Sequence, residues 1–290
     1  MHLLLLAMTL GVALAIRLLP VGSDRVPNGS VTQQDWFLTL LAFALPPLLI
    51  VASGLAVVLM GPGGHMHMHV QANPCVSLIS HLVSLGLLVV ASFFLVRRGW
   101  EGWRSSQQFG RYPLCHLDGH MGRVLPHELP FAARIGFWKS DLLLSQGLVD
   151  GLSAEQVQAV LQHEQAHEHF HDTFWFFWLG WLRQIGGWLP KSEELWQRLL
   201  LLRELRADAM AATCCDRLVL AEALFQVASA PLPSGALVAA FGDDSDVIRL
   251  ETRIDALLDE QAYFDLESDR SWYWAWFACL PLLVVPFCHC

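Results

Sequence analysis

Residues 153–170 read Ser-Ala-Glu-Gln-Val-Gln-Ala-Val-Leu-Gln-His-Glu-Gln-Ala-His-Glu-His-Phe. Ser153 followed three residues later by Gln156 is a capping box, which starts a helix by satisfying backbone donors at its N-terminus. Val157, Val160 and Leu161 then recur at helical spacing. The same helix carries His163-Glu164-Gln165-Ala166-His167, an HExxH motif. A separation of four puts both imidazoles on one face, one turn apart, where both can reach a single Zn²⁺. Glu164 projects beside them and can take a proton from water and return it to a leaving amine. The chain has 13 histidines, so the pattern also reads as a solvated polar helix face. Its surroundings decide between the two.

A catalytic zinc site takes three protein ligands and keeps one position open. The third is expected in Leu202-Arg203-Glu204-Leu205-Arg206-Ala207-Asp208-Ala209-Met210-Ala211-Ala212, a strongly helical run. Glu204 and Asp208 are four apart and share a face with Ala211 and Ala212. Small residues there let this helix approach the HExxH helix closely. Glu204 is therefore the expected ligand, and Asp208 the acceptor that orients a zinc-bound imidazole through its free N–H. The competing reading is an exposed face with Glu/Arg pairs, because Arg203 and Arg206 are adjacent. His169 and His171 are expected to be peripheral. Three ligands on consecutive turns of one straight helix cannot easily surround an ion tetrahedrally.

The rest of the chain is apolar. Of 290 residues, 54% are hydrophobic and 16% charged, against roughly a quarter charged in a soluble domain. Mean hydropathy is +0.42. A membrane protein with one modest soluble domain follows. A membrane helix needs about 20 mostly apolar residues, which points to spans near residues 1–19, 36–60 and 75–96. A weaker fourth, Ser271–Phe287 within the terminal stretch 271–290, opens on interfacial aromatics Trp272, Tyr273, Trp274 and Trp276. Residues 1–19 also resemble a signal peptide but lack a basic start and an A-x-A site, so a retained helix is expected. Arg17 and Arg25 flank the first connection, and Arg97, Arg98, Arg104 and Arg111 follow the third span. This places residues 97–270 in the cytoplasm, in a plasma (inner) membrane protein. Residues 173–189 are rich in Trp and Phe. A single crossing there would put His167 and Glu204 on opposite sides of the bilayer, and two need roughly 40 residues. This segment is expected to dip into or lie on the inner leaflet.

The ordered series of motifs resembles the BlaR/MecR-type antirepressor peptidases, relatives of the HtpX-type membrane proteases. The resemblance rests on Pro130-Phe131-Ala132 through Gly136-Phe137-Trp138, Asp141–Ser145, Gly147-Leu148, Leu152-Ser153, the HExxH motif, Asp172, Trp188-Leu189-Pro190, Glu204 with Asp208, and Arg253-Ile254 with Leu257-Leu258. It covers roughly residues 125–260. It implies zinc bound by His163, His167 and Glu204 as a gluzincin-type set, Glu164 as base and Asp208 as support. It also implies an α+β membrane protein with about four transmembrane helices and a cytoplasmic zincin-like metallopeptidase domain. The implied substrate is a cytosolic, BlaI/CopY-like winged-helix repressor, or the chain itself. Lys139-Ser140 stands where the family often has Pro. The β-lactam sensors carry a large extracellular domain after the fourth span, whereas this chain ends at Cys290. Sensing through such a domain is not expected, and another input would supply the signal.

Two other readings stand beside the regulatory endopeptidase. One is a housekeeping quality-control protease. The other is a non-enzymatic membrane metal sensor built on His65-Met66-His67-Met68-His69, whose imidazoles and thioethers suit copper. His65, His67 and His69 would form an extracellular metal loop. Glu164 favours the enzyme, because a structural site needs no base. With a net charge of −9 and no Lys/Arg run, direct nucleic-acid binding is not expected. The strand near Arg134–Trp138 is a candidate for pairing with an extended substrate. Arg97–Tyr112 reads as a linker and Val247–Glu260 as an amphipathic helix. The seven cysteines form no CxxC pair and read as small buried hydrophobes.

Overall fold

The computed structural model describes residues 2–20, 33–61, 74–117, 119–138, 140–229, 246–259, 277–283 and 285. The His65/His67/His69 loop, most of Ala228–Gly242, most of Ser271–Phe287 and Cys288–Cys290 lie outside them. The architecture is mixed, mainly helical with one small sheet. Three apolar helices come first: α1 (His2–Leu18), α2 (Gln33–Met60) and α3 (Pro74–Phe109). Gln34–Met60 and Cys75–Phe109 are long and apolar enough to cross a membrane. The α1 helix has 17 residues, at the lower limit of a span. Residues 277–283 form a 3₁₀ stretch.

The three helices pack by small polar and apolar contacts. Thr9 Oγ1 donates to Ser53 Oγ at 3.2 Å, and Arg17 donates to the Phe43 carbonyl at 3.0 Å. Gly54 faces Leu87 and Ser84 of α3. Pro46 and Pro47 lie inside α2. The apolar window of α3 is only 17% buried, and Ile79, Val83, Val89, Val90, Phe93 and Val96 point outward. Such a row is costly in water and suits lipid. The α3 helix runs on to Phe109 where the sequence reads as a linker.

A four-stranded sheet follows: β1 (Leu114–Leu117), β2 (His120–Leu125), β3 (Ala132–Gly136) and β4 (Ser140–Ser145), in the order β1-β2-β4-β3. The β2–β4 pair is parallel and the other two are antiparallel. The expected strand therefore sits at one edge of the sheet, as β3. The chain then enters α4 (Gln146–Gly151) through Gly147. Any side chain at Gly147 would meet the Glu128 carbonyl at 1.7 Å, so only glycine fits.

Next come α5 (Ala154–His169), α6 (Asp172–Gly186), α7 (Ser192–Ala211), α8 (Arg217–Ser229) and α9 (Asp246–Leu258). The α5 capping box forms as read: Gln156 N–H donates to Ser153 Oγ, and Ser153 N–H to Gln156 Oε1. Leu142 and Leu144 of β4 pack on Val157, Val160 and Leu161 of α5. A larger core joins α2, α6 and α7 through Leu40, Phe43, Phe176, Leu179, Trp196, Leu199 and Leu202. At 15 residues, α6 is about 22 Å long, too short to cross a bilayer. It lies against α2 and α3, and Trp181 Nε1 donates to the Ala91 carbonyl at 2.8 Å. The thiols depart from the reading as buried hydrophobes: Cys75, Cys214 and Cys279 are exposed.

Candidate metal centre

The site forms where α5 and α7 approach closely. Ala159 of α5 and Ala211 of α7 are both buried in one cluster. Small side chains there let the two backbones close, and the Glu204 side chain then reaches the HExxH face. His163 Nε2 lies 3.1 Å from His167 Nε2, and Glu204 Oε2 lies 3.4 Å from His163 Nε2. Glu204 Oε1 lies 3.8 Å from His167 Nε2. One ligand atom from each of the three residues falls within 4.8 Å of the others, and together they could hold a metal ion.

Each imidazole turns its other nitrogen to a carboxylate. His163 Nδ1 lies 2.8 Å from Asp208 Oδ1, as expected. His167 Nδ1 lies 2.7 Å from Asp172 Oδ2. An ionised carboxylate only accepts, so the His167 proton belongs on Nδ1, which is hydrogen-bonded to Asp172. His163 Nδ1 is close to Asp208 but is not in hydrogen-bond geometry with it. Each carboxylate is held in turn by a guanidinium. Arg253 donates to both oxygens of Asp208 at 2.7 and 2.8 Å. Arg206 donates to Asp172 Oδ1 at 2.6 Å and stacks over Phe170 and Trp36. A hydrogen-bonded His167–Asp172–Arg206 chain thus orients the His167 ring, while His163 meets the Asp208–Arg253 pair as an ion-pair contact.

Glu204 satisfies both readings of its surroundings. Arg203 donates to Oε1 at 2.6 Å, and Arg253 lies 3.2 Å from Oε2, yet both oxygens also face the imidazoles. Burial pushes the Glu204 carboxyl up, but Arg203 and Arg253 outweigh it and bring it well below the usual carboxylate range. Asp208 is lowered despite its burial, chiefly by Arg253. Burial alone would lower the His163 imidazole, but Asp208 and Glu204 prevail and hold it up at about 9.

Glu164 is 7% exposed and next to the ligand His163. Its backbone carbonyl accepts from Arg134 Nε at 2.7 Å, and Arg134 also pairs with Glu168. Edge strand β3 is thereby fastened along α5. His169 and His171 stand apart from the ligands. His169 is exposed and packs on Phe170. His171 takes a left-handed backbone with φ 53° and starts α6. It therefore leaves the His163/His167 stripe.

Two imidazoles and one carboxylate are a donor set that could hold a metal ion. Ligand atoms about 2.05 Å from a zinc ion would stand about 3.3 Å apart, against 3.1, 3.4 and 3.8 Å here. Sequence reading did not assign roles to Asp172, Arg206, Arg253 and Arg134. Their partners lie far away along the chain or across a left-handed break, and no local spacing marks them. Comparison of the chain with family models, with curated proteins and with solved structures finds no match.

Proposed function

We propose that this chain is a membrane-embedded zinc endopeptidase of BlaR/MecR-like, zincin-like design, acting on a cytosolic protein at the membrane surface. The observation that carries the reading is the convergence of His163, His167 and Glu204 beside a buried Glu164. A purely structural site has no use for a base in that position. Bound by those three residues, zinc would supply Lewis-acid polarisation of a peptide carbonyl. The Glu164 carboxylate takes a proton from the attacking water and delivers it to the leaving nitrogen. The His167–Asp172–Arg206 chain keeps the His167 imidazole in one tautomer, and Asp208 with Arg253 supports His163 by charge. Edge strand β3 receives the substrate in extended form by adding a strand.

Four spans, with residues 97–270 cytoplasmic in a plasma (inner) membrane, complete the proposal. The substrate class that best suits this placement is a winged-helix repressor of BlaI/CopY type, or the chain itself. The test uses purified full-length protein and quenched fluorescent casein as a generic substrate. Cleavage should stop on treatment with a zinc chelator and return with added zinc. Cleavage that is indifferent to chelation would reject the reading.

A further inference from the structure

Between α3, α6 and the start of α7 lies a cavity of about 300 Å³. Arg98, Gly180, Arg183, Ser192, Glu193 and Trp196 line it. Two guanidiniums thus face one carboxylate. Glu193 is already engaged on both oxygens: Arg183 donates to Oε2 at 2.7 Å and Gln197 to Oε1 at 2.8 Å. Arg183 also sits over the Trp196 ring at 5.1 Å, which fixes its direction.

Among the described residues Arg98 is in no salt bridge: Glu101, three residues on, acts on it only through space and is bonded to Arg97. One terminal nitrogen donates to the Phe176 carbonyl at 3.2 Å. Its buried Nε has no partner among the described residues. The guanidinium rests on the bare Cα of Gly180, where a Cβ would stand 2.2 Å from it. The Phe177 ring lies 5.7 Å from the same guanidinium. A cation held by one carbonyl and a ring, beside a second cation in one cavity, suits an anion.

The depth of the cavity follows from helix register. Gly54 of α2 lies opposite Ser84 and Leu87 of α3. Eleven residues back along α2 is Phe43, whose carbonyl accepts from Arg17. The same distance on from Leu87 along antiparallel α3 is Arg98. Arg17 and Arg98 therefore share one level, where the apolar run of α3 ends. Arg17 is buried at that level, but Arg98 is partly exposed, and a partly exposed arginine where an apolar run ends is placed to meet a lipid headgroup.

We propose that this cavity binds the phosphate of an anionic phospholipid headgroup in the cytoplasmic leaflet. The guanidinium forks of Arg98 and Arg183 engage phosphate oxygens. The site depends on the membrane placement of α3 but not on the peptidase reading. It ties α6, which carries Asp172, to the bilayer.

The test follows thermal unfolding of full-length protein in non-ionic detergent. Short-chain phosphatidylglycerol, short-chain phosphatidylcholine and inorganic phosphate are added at equal concentration. Phosphatidylglycerol should raise the midpoint by at least about 3 °C, and the other two by much less. Arg183→Gln, at a half-exposed side chain, should at least halve that shift, whereas Arg104→Gln should keep it. Arg98→Gln can fail to fold because Arg98 also holds the Phe176 carbonyl. Native mass spectrometry of the wild type and Arg98→Lys therefore reads bound lipid directly, with fewer copies expected in the variant. Equal shifts from phosphatidylcholine, a full shift from inorganic phosphate, or undiminished binding in R183Q and R98K would each overturn the proposal.

Discussion

Asp208 and Asp172 hold equivalent positions, each between a ligand imidazole and an arginine. Asp208→Asn or Asp172→Asn keeps the shape but removes the charge beside the imidazole. Each should lower zinc affinity about 10- to 100-fold, measured by chelator competition, with helix content unchanged. Glu204→Ala should weaken binding further, because it removes a ligand; full occupancy in that variant would displace Glu204 from the set. The pH response of the zinc-free protein follows from the same contacts. The His163 pKa rises on folding from 6.5 to about 9. Its contribution to stability is complete below about pH 6.5 and is lost as pH climbs through about 9. Glu204 and Asp208, both lowered, contribute above the ordinary carboxylate range and lose that contribution in acid. Zinc-free thermal midpoints should therefore fall between pH 6.5 and 9. A flat profile there would contradict the His163–Asp208 contact. At this scale the sequence displays the His163/His167 pair of the candidate metal group, because four-residue spacing on a helix is visible in one dimension. The partners Arg206 and Arg253 sit 34 and 45 residues from their aspartates, and only the fold brings them in.

The start of helix α5 was legible, but its end at His169 was not. Its capping box and apolar stripe predict its start and its buried face, and both are found. The pairing of α5 with α7 was legible too, through the alanines beside Asp208. Strands β1 and β2 were not anticipated. They are four and six residues long, carry His and Gly, and owe their existence to pairing rather than local preference. The reach of α3 past Arg98 was hidden by a polar composition that reads equally as linker. The α5–α7 contact gives a prediction at this scale. Ala159→Leu inserts bulk where both helices touch and should cost about 1–3 kcal/mol. Denaturant unfolding checks the stability, and metal analysis should show reduced zinc content. Unchanged stability and full occupancy would mean that close approach does not build the site.

The molecule as a whole joins two candidate spans to one candidate metal site. Topology is tested with native cysteines removed. Gly64→Cys should react with an impermeant thiol reagent from outside the cell, and Gly151→Cys only after the membrane is opened. Labelling of both from one side would break the proposed arrangement. The central claim is that Glu164 moves the proton while His163, His167 and Glu204 only hold the metal. The most direct measurement pairs zinc content with casein cleavage on the same preparations of wild type, Glu164→Ala and His163→Ala. The wild type should bind one zinc and cleave. Glu164→Ala should keep the zinc and lose cleavage by a factor of at least about 100, and His163→Ala should lose both. Undiminished cleavage by zinc-loaded Glu164→Ala, or a zinc-loaded wild type that cuts nothing, would contradict the account.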